Sequence, residues 1–416
     1  MLVWGLGRHG GGLAAARLCR HLGAERVDIL DAADPATLPD AARAAAEGFA
    51  VQRGDASHPL FAAADCIVPS PAIPPRAWPS THPPRLSAEA LAFALHRGRR
   101  LAITGTKGKS TTAMLCGHLL GWRVAGNSWQ PLAAAVLEDP ERDLVCELSS
   151  FQLWYLREQP PRLDLAVLTL LGVDHLDWHP DCAHYHACKL ALLGWAERCV
   201  VADSVRAQLP PRLPLLPLLP EPRAEELPLL GAHNRANAAL ALTAAVALGV
   251  SEAAARQRLA SVRPLPHRLQ CVWQQGRWRF IDDSIATTPA ATLAALAALE
   301  GPLAVILGGS DKGADFRELA AALQQRGARA VLIGTSVPRL RAAGIAGPQA
   351  ASMEEAVRLA LQLLPEGGSV LLSPACASLD WFQDYAERGA RFAQAAQRLC
   401  PAPLSAGDAP AAPRAE

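Results

Sequence analysis

Of the 40 basic residues in this 416-residue chain, only Lys107, Lys109, Lys189 and Lys312 are lysines, and the rest are arginines. Arginine stays charged and planar, whereas a lysine amine is a compact charge that can give up its proton. A chain that defaults to arginine marks each surviving lysine as a place where an amine is wanted. Lys109 stands in Gly105-Thr-Lys-Gly-Lys-Ser-Thr-Thr112, directly behind the strand-like Arg100-Leu-Ala-Ile-Thr104. Strand, glycine loop and helix start, in that order, make a phosphate cradle. Backbone amides at Gly105, Thr106 and Gly108 wrap the phosphates, Lys109 neutralises them, and Ser110 or Thr111 offers a hydroxyl to Mg2+. The loop is shorter than the G-x4-G-K-[ST] pattern, since two residues separate its glycines. The competing reading is a glycine turn with an exposed lysine.

Further groups extend this chemistry. Asp143-Leu-Val-Cys-Glu147 reads as a buried strand ending in an acid. Alone, Glu147 is a solvated strand end; beside a phosphate loop it is a natural Mg2+ ligand. Asp174, His175, Asp177, His179, His184 and His186 crowd one stretch, but their spacings match no standard zinc set, and a magnesium-phosphate site is expected nearby. Lys189 follows on the next helix, either as a solvated lysine or as an amine with a task. Asn234 and Asn237 lie three apart on one helical face, where two carboxamides can reach one ligand. Asn234 could instead cap the alanine-rich helix expected over 238–248. At the N-terminus, Leu2-Val-Trp-Gly-Leu-Gly-Arg-His-Gly-Gly-Gly12 precedes an Ala/Leu helix and the strand Val27–Asp31. The glycines and Asp31 fit a nucleotide or sugar-diphosphate site of Rossmann type, or a tight turn.

The elements that must position these groups alternate strand and helix, which implies α/β architecture with parallel sheets. The prolines from Pro69 to Pro84 break regular structure and mark a linker near residue 85. Leucine and proline dominate 209–230 around a shortened strand, and Pro264 and Pro266 mark the next boundary. Beyond it, strands at Trp278–Asp283, Leu303–Leu307, Ala330–Ile333 and Ser369–Ser373 alternate with helical stretches. Asp283, Gly308-Gly-Ser-Asp-Lys312 and Ser373-Pro-Ala-Cys-Ala-Ser378 fall at their carboxyl ends, where ligands gather. We expect three domains: a Rossmann-like N-terminal one (1–86), a central parallel-sheet one like a P-loop ATPase (87–264) and a C-terminal Rossmann-like one (265–400). An Ala/Pro-rich disordered tail is expected over 401–416.

Bulk composition narrows the class. The net charge of +1 gives no field to recruit nucleic acid, and no apolar run reaches membrane-spanning length. No leader-like pattern opens the chain, so a cytoplasmic protein is expected, and it is read as a monomer. The ten cysteines show no C-x2-C pair and read as buried free thiols.

Taken together, Gly105–Thr111, Glu147-Leu-Ser-Ser-Phe-Gln-Leu153, Asp174-His-Leu-Asp177 with Lys189, and Gly231-Ala-His-Asn-Arg-Ala-Asn237 resemble the ATP-dependent Mur ligases. Leu265-Pro-His-Arg268, Asp282-Asp-Ser284, Gly308–Phe316, Leu372–Ser378 and Asp384-Tyr-Ala-Glu-Arg-Gly389 resemble their glutamate-adding branch. The Asp-Asn-Pro-Arg signature of the diaminopimelate- or lysine-adding sister is absent. The resemblance implies phosphorylation of the carboxylate of UDP-N-acetylmuramoyl-L-alanine by ATP, attack of the glutamate amine on the acyl phosphate, and a place in peptidoglycan synthesis, hence in cell shape and division. It implies Lys109 on the β/γ-phosphates, Ser110, Thr111 and Glu147 on a first Mg2+, and His175 with a carbamylated Lys189 on a second. It places Asn234, Arg268 and Asp283 at the adenine nucleotide, Thr287, Lys312, Ser378 and Tyr385 at glutamate, and Gly7, Asp31, Ser70 and Asn127 near UDP. Lys107 falls at a variable family position. Two features depart: Ile285 stands where D-glutamate enzymes carry lysine, which leaves L-glutamate open, and Ala72 stands where glycine is frequent. The alternatives are a folate-type polyglutamate ligase and a non-catalytic nucleotide-binding protein. The resemblance also implies closure of the third domain about residues 263–266.

Overall fold

In a computed structural model of the protein, residues 1–311 and 313–400 are described. Lys312 and the expected tail over 401–416 lie outside them. The chain divides into two compact units, residues 1–227 with 234–262, and residues 228–233 with those from 263 onward.

The first unit holds two sheets. Strands β1 (Leu2–Trp4), β2 (Asp28–Asp31), β3 (Ala50–Arg53) and β4 (Ile67–Pro69) pair in parallel in the order β3-β2-β1-β4. The order reverses at β1, so a crevice opens beyond its carboxyl end, between the Gly5–Gly12 loop and Ser70. Strands β5 (Arg100–Thr104), β6 (Arg123–Gly126), β7 (Leu144–Glu147), β8 (Leu165–Leu168) and β9 (Cys199–Val201) form an all-parallel sheet, β6-β7-β5-β8-β9. β7 and β8 are buried along their whole length, as apolar strands covered on both faces must be. Helix Gly11–His21 puts Ala14 and Leu18 into the same core as Ala133 and Val136 of helix Leu132–Glu138, so the two sheets share buried surface across the proline-rich connection. A Ser149/Gln152 capping box starts helix Ser150–Leu156 immediately after β7.

The second unit has one sheet: β10 (Gln270–Gln275), β11 (Trp278–Asp282), β12 (Leu303–Gly308), β13 (Arg329–Ile333) and β14 (Gly368–Leu372), ordered β10-β11-β14-β12-β13. Leu303, Val305 and Leu307 face one core and Ala304 and Ile306 the other, the period-two signature of a sheet buried on both sides.

Three local expectations change. The third sheet is not wholly parallel: β10 turns at Gly276 (φ 55°) and runs antiparallel to β11. That edge strand is polar on half its positions, so apolar runs did not reveal it. The alanine-rich helix starts earlier, over Ala232–Ala247, which puts Asn234 inside it and not at its cap. The shortened strand in 209–230 is a single parallel bridge from Leu215 to Cys199. All ten cysteines are free, six buried and only Cys271 exposed. Among the described residues, no helix is long and apolar enough to cross a membrane.

Candidate active site

The central sheet aims three strand ends at one place. β5 runs into Gly105, β7 ends on Glu147, and β8 leads through Thr169 toward His175. Gly105 (φ 153°) and Gly108 (φ 86°) occupy backbone that L side chains avoid. A Cβ on Gly105 would strike the Thr169 hydroxyl, and one on Gly108 the Asn237 carboxamide. Glycine alone lets the loop lie against β8 and helix Ala232–Ala247. The loop is then pinned by side chains: Thr169 Oγ1 donates to the Lys107 carbonyl (2.5 Å), while Thr106 Oγ1 accepts from Gly172 N (2.9 Å) and from the Tyr185 hydroxyl (3.0 Å).

Two amines meet on this loop. Lys109 Nζ donates to the carbonyls of Gly105 (2.9 Å) and Thr106 (3.3 Å), and Lys189 Nζ reaches the same Gly105 oxygen at 2.9 Å. Lys189 is 1% exposed. Burial, and then the charge of Lys109, pull its amine down to about 6, so it is chiefly neutral at pH 7. Lys107 instead points outward and pairs with Asp174 at 3.4 Å.

Glu147 is completely buried and fully engaged. Its Oε1 accepts from Asn127 Nδ2 (2.8 Å), Ser110 Oγ (3.1 Å) and Ser128 Oγ (3.1 Å), and its Oε2 from Trp129 Nε1 (2.7 Å). Residues 127–129 reach it because Gly126 on β6 sits opposite Glu147 in the ladder. Ser110, and not Thr111, supplies the hydroxyl that meets this carboxylate. His175 lies in left-handed backbone (φ 54°), half exposed, 4.0 Å from Asp174. Burial holds its imidazole below the ordinary value; Asp174 opposes that, while Lys109 and Lys189 add to it. Asn237 Nδ2 donates to Asn234 Oδ1 at 3.4 Å, so these two carboxamides do share a face. Sequence reasoning missed Thr169, Tyr185, Ser128 and Trp129. Their only signal was nearness in the chain to residues already chosen.

A cavity of about 470 Å3 lies at the crevice of the first sheet. Gly7, Ser70 and Asn127 line it; Asp31 does not. The Asp31 carboxylate holds the loop, accepting from Gly7 N (3.1 Å) and Ala33 N (2.9 Å). Gln152 and Glu89, unforeseen from sequence, form part of the wall, joined by a 2.8 Å hydrogen bond from Gln152 Nε2. Burial raises the Glu89 carboxyl, and its Oε2 has no hydrogen-bond partner. Asn127 belongs to both places: it lines the cavity and donates to Glu147.

In the second unit, the carboxyl ends of β11 and β14 converge. Asp283 Oδ2 accepts from Ser373 Oγ (2.8 Å) and Oδ1 from Leu269 N (3.2 Å), and burial pushes its carboxyl up to about 7. Asp282 takes His267 Nδ1 at 2.7 Å. The neighbouring Arg268 is half-buried. Thr287 and Tyr385 are exposed and Ser378 is buried; no direct bond joins the three. The organiser is Arg388, which sequence reasoning placed in a motif but gave no role. It is 1% exposed, and its guanidinium donates to Ser284 Oγ (2.9 Å), the Ser284 carbonyl (2.8 Å) and the Cys376 carbonyl (3.0 Å). Burial lowers it to about 10. Ile285, half-buried, donates its amide to the His267 carbonyl at 3.3 Å.

This arrangement has relatives. Residues 103–204 match the Mur ligase middle domain and residues 267–376 the Mur ligase glutamate ligase domain. The chain is 37% identical to the UDP-N-acetylmuramoylalanine–D-glutamate ligase of Nitratidesulfovibrio vulgaris, over 96% of each protein. It is 34% identical to the UDP-N-acetylmuramoyl-L-alanine–L-glutamate ligase of Salinispora tropica, over 94% of this chain and 96% of that one. In fold it is similar to the MurF ligase of Thermotoga maritima solved in complex with ADP (TM-score 0.59, 17% identity, 90% of this chain and 96% of that one). The chain belongs to the Mur ligase family, three-domain enzymes that close an amide bond at the expense of ATP and release ADP.

Proposed function

We propose that this chain joins the amine of D-glutamate to the free carboxylate of UDP-N-acetylmuramoyl-L-alanine, a step of peptidoglycan precursor synthesis. The observation that carries the reading is Asn127, which lines the 470 Å3 cavity and bonds Glu147 beside the phosphate loop. A sugar nucleotide held at Gly7 and Ser70 would present its alanyl carboxylate beside that loop. The domain division at 86/87 and 264/265 belongs to the same reading.

In this reading Lys109 and the amides of Gly105–Ser110 hold the ATP phosphates and neutralise charge as the γ-phosphoryl moves to the carboxylate. The acyl phosphate so formed is attacked by the glutamate amine; the new C–N bond expels phosphate, and the amine's proton leaves to solvent. Lys312, Thr287, Ser378 and Tyr385 are the proposed glutamate contacts, and Asn234, Arg268 and Asp283 the nucleotide contacts. The donor set fits magnesium: a hydroxyl and a carboxylate 3.1 Å apart at a helix start are hard oxygen ligands. Ser110 and Glu147 would hold one ion, His175 and Lys189 the other. Bound magnesium would neutralise phosphoryl oxygens. Lys189 fits carbamylation because its amine is buried and neutral near pH 7; reaction with CO2 would give an N–C bond, release one proton and create a carboxylate.

The test is phosphate release from the full chain with ATP, Mg2+ and UDP-N-acetylmuramoyl-L-alanine, comparing the two glutamate enantiomers. Release with D-glutamate is expected. Release with L-glutamate alone would overturn the choice of enantiomer and point to Ile285, and no release with either would overturn the reading.

A further inference from the structure

The helix that carries Lys189, Cys182–Ala191, also carries groups the ligase chemistry does not use. His184 and Cys188 lie one turn apart on it, so they project from the same face. The turn before the helix brings His179 against them. His179 Nδ1 is 2.9 Å from His184 Nδ1, Cys188 Sγ is 4.0 Å from the same nitrogen, and the three atoms all lie within 4.8 Å of one another. We propose that His179, His184 and Cys188 form a second metal site, selective for a zinc-like divalent ion over magnesium.

Three features of the geometry support it. Zinc bonds of ~2.0–2.1 Å to nitrogen and ~2.3 Å to sulfur place tetrahedral ligands roughly 3.3 to 3.6 Å apart. The 2.9 and 4.0 Å separations reach that by shifts of about half an ångström, and the remaining pair, within 4.8 Å, closes by about an ångström through a turn of the Cys188 side chain. His179 is already held from its far side: its Nε2 and Ser150 Oγ are 3.0 Å apart. A bond from Nε2–H to that hydroxyl leaves Nδ1 as a lone pair aimed at the cluster, the outer-sphere support that ligating histidines ordinarily have. The set is two imidazoles and a thiol, which suits a borderline-soft ion, whereas Glu147, Ser110 and the phosphates suit a hard one. Binding would form the Cys188 S–metal bond and release the thiol proton to solvent, while the proton that His184 Nδ1 carries in its 2.9 Å contact with His179 moves to His184 Nε2. Three protein ligands leave a fourth position for water.

The site has a mechanical consequence. His179 N donates to the His175 carbonyl at 2.9 Å, so an ion joining His179 to the helix would fix the turn that presents His175 to the phosphate loop. The cluster was invisible as a zinc pattern because only His184 and Cys188 share a helical spacing, and the third ligand comes from the turn before the helix.

The test is titration of the full-length protein with Co2+ in excess Mg2+, followed by the thiolate-to-cobalt charge-transfer band. One equivalent of Co2+ should raise the band, and stoichiometric Zn2+ should bleach it. Cys188→Ser should abolish the band, and the part-exposed His184→Gln should weaken Co2+ binding at least tenfold. Cys182→Ser should retain it, because that thiol lies outside the cluster. No band in the natural protein, or a band that persists in Cys188→Ser, would overturn the proposal. Should Cys188→Ser fold poorly, His184→Gln decides: Co2+ affinity unchanged in a variant with natural thermal stability also overturns it.

Discussion

The glycine loop after β5 and the carboxyl end of the second unit's sheet, where glutamate is proposed to bind, are built on opposite plans. At the loop, the groups proposed to do chemistry touch each other directly: Lys109 and Lys189 share the Gly105 oxygen, and Ser110 meets Glu147. In the second unit, Thr287, Ser378 and Tyr385 do not bond one another. They hang within three residues of Ser284, Cys376 and Arg388, which the buried guanidinium ties together. The first plan makes chemistry vulnerable to one substitution; the second makes stability vulnerable and leaves the proposed recognition to side chains that bond nothing in common.

The largest effect should come from the first plan. Lys189→Ala should lower kcat by about 10^2- to 10^3-fold, the scale of losing a preorganised electrostatic group, with little change in Tm. A short carboxylate added to the assay should restore part of the rate. Equal loss of kcat and Tm would mean that Lys189 is chiefly structural. Arg388→Met should reverse the pattern, costing about 3 kcal/mol in urea unfolding because three buried oxygens lose their donors. Unfolding at the natural midpoint would show that the guanidinium is not the organiser.

A smaller effect concerns pH. The Asp283 carboxyl is raised to about 7 in the folded chain against an unfolded value of 3.8. The native state therefore binds the extra proton, and the stability this gives is fully present below pH 3.8 and lost as pH rises through 7. Between pH 5 and pH 8 the natural protein should lose about 2 kcal/mol relative to Asp283→Asn. Parallel stability profiles would refute the assignment. The smallest effect is expected for Ile285→Lys, which adds a cation near the proposed glutamate contacts; it should lower the glutamate KM a few-fold and leave the KM for ATP unchanged.

The same contrast explains what could be read from the chain alone. That Gly105–Thr112, Glu147 and Lys189 come together was legible because strand ends, a glycine loop and a helix start each leave a mark at fixed positions. Buried parallel strands such as Leu165–Leu168 announced themselves as apolar runs. Strand β10 and the early start of helix Ala232–Ala247 did not, since one is an amphipathic edge and the other begins in polar text. Trp129, Tyr185 and Arg388 were missed for a different reason. Each acts through a partner remote in sequence, so its role exists only once β6 lies beside β7 or a helix lies against a loop. Asp31 shows the converse: its place behind the glycine loop was legible, but its bonds to Gly7 N and Ala33 N appear only once the loop is folded.

Asn127 gives the first unit a thermodynamic property as well as a geometric one. One carboxamide borders the cavity and holds Glu147, so a ligand that draws Asn127 toward itself must alter that carboxylate's affinity for whatever it binds. Linkage makes the effect mutual: the factor by which a cavity ligand changes nucleotide affinity is the factor by which nucleotide changes the affinity of the cavity ligand. A compound filling only this cavity would then act as a heterotropic effector of the glycine loop, and its measured potency would depend on how much ATP is present.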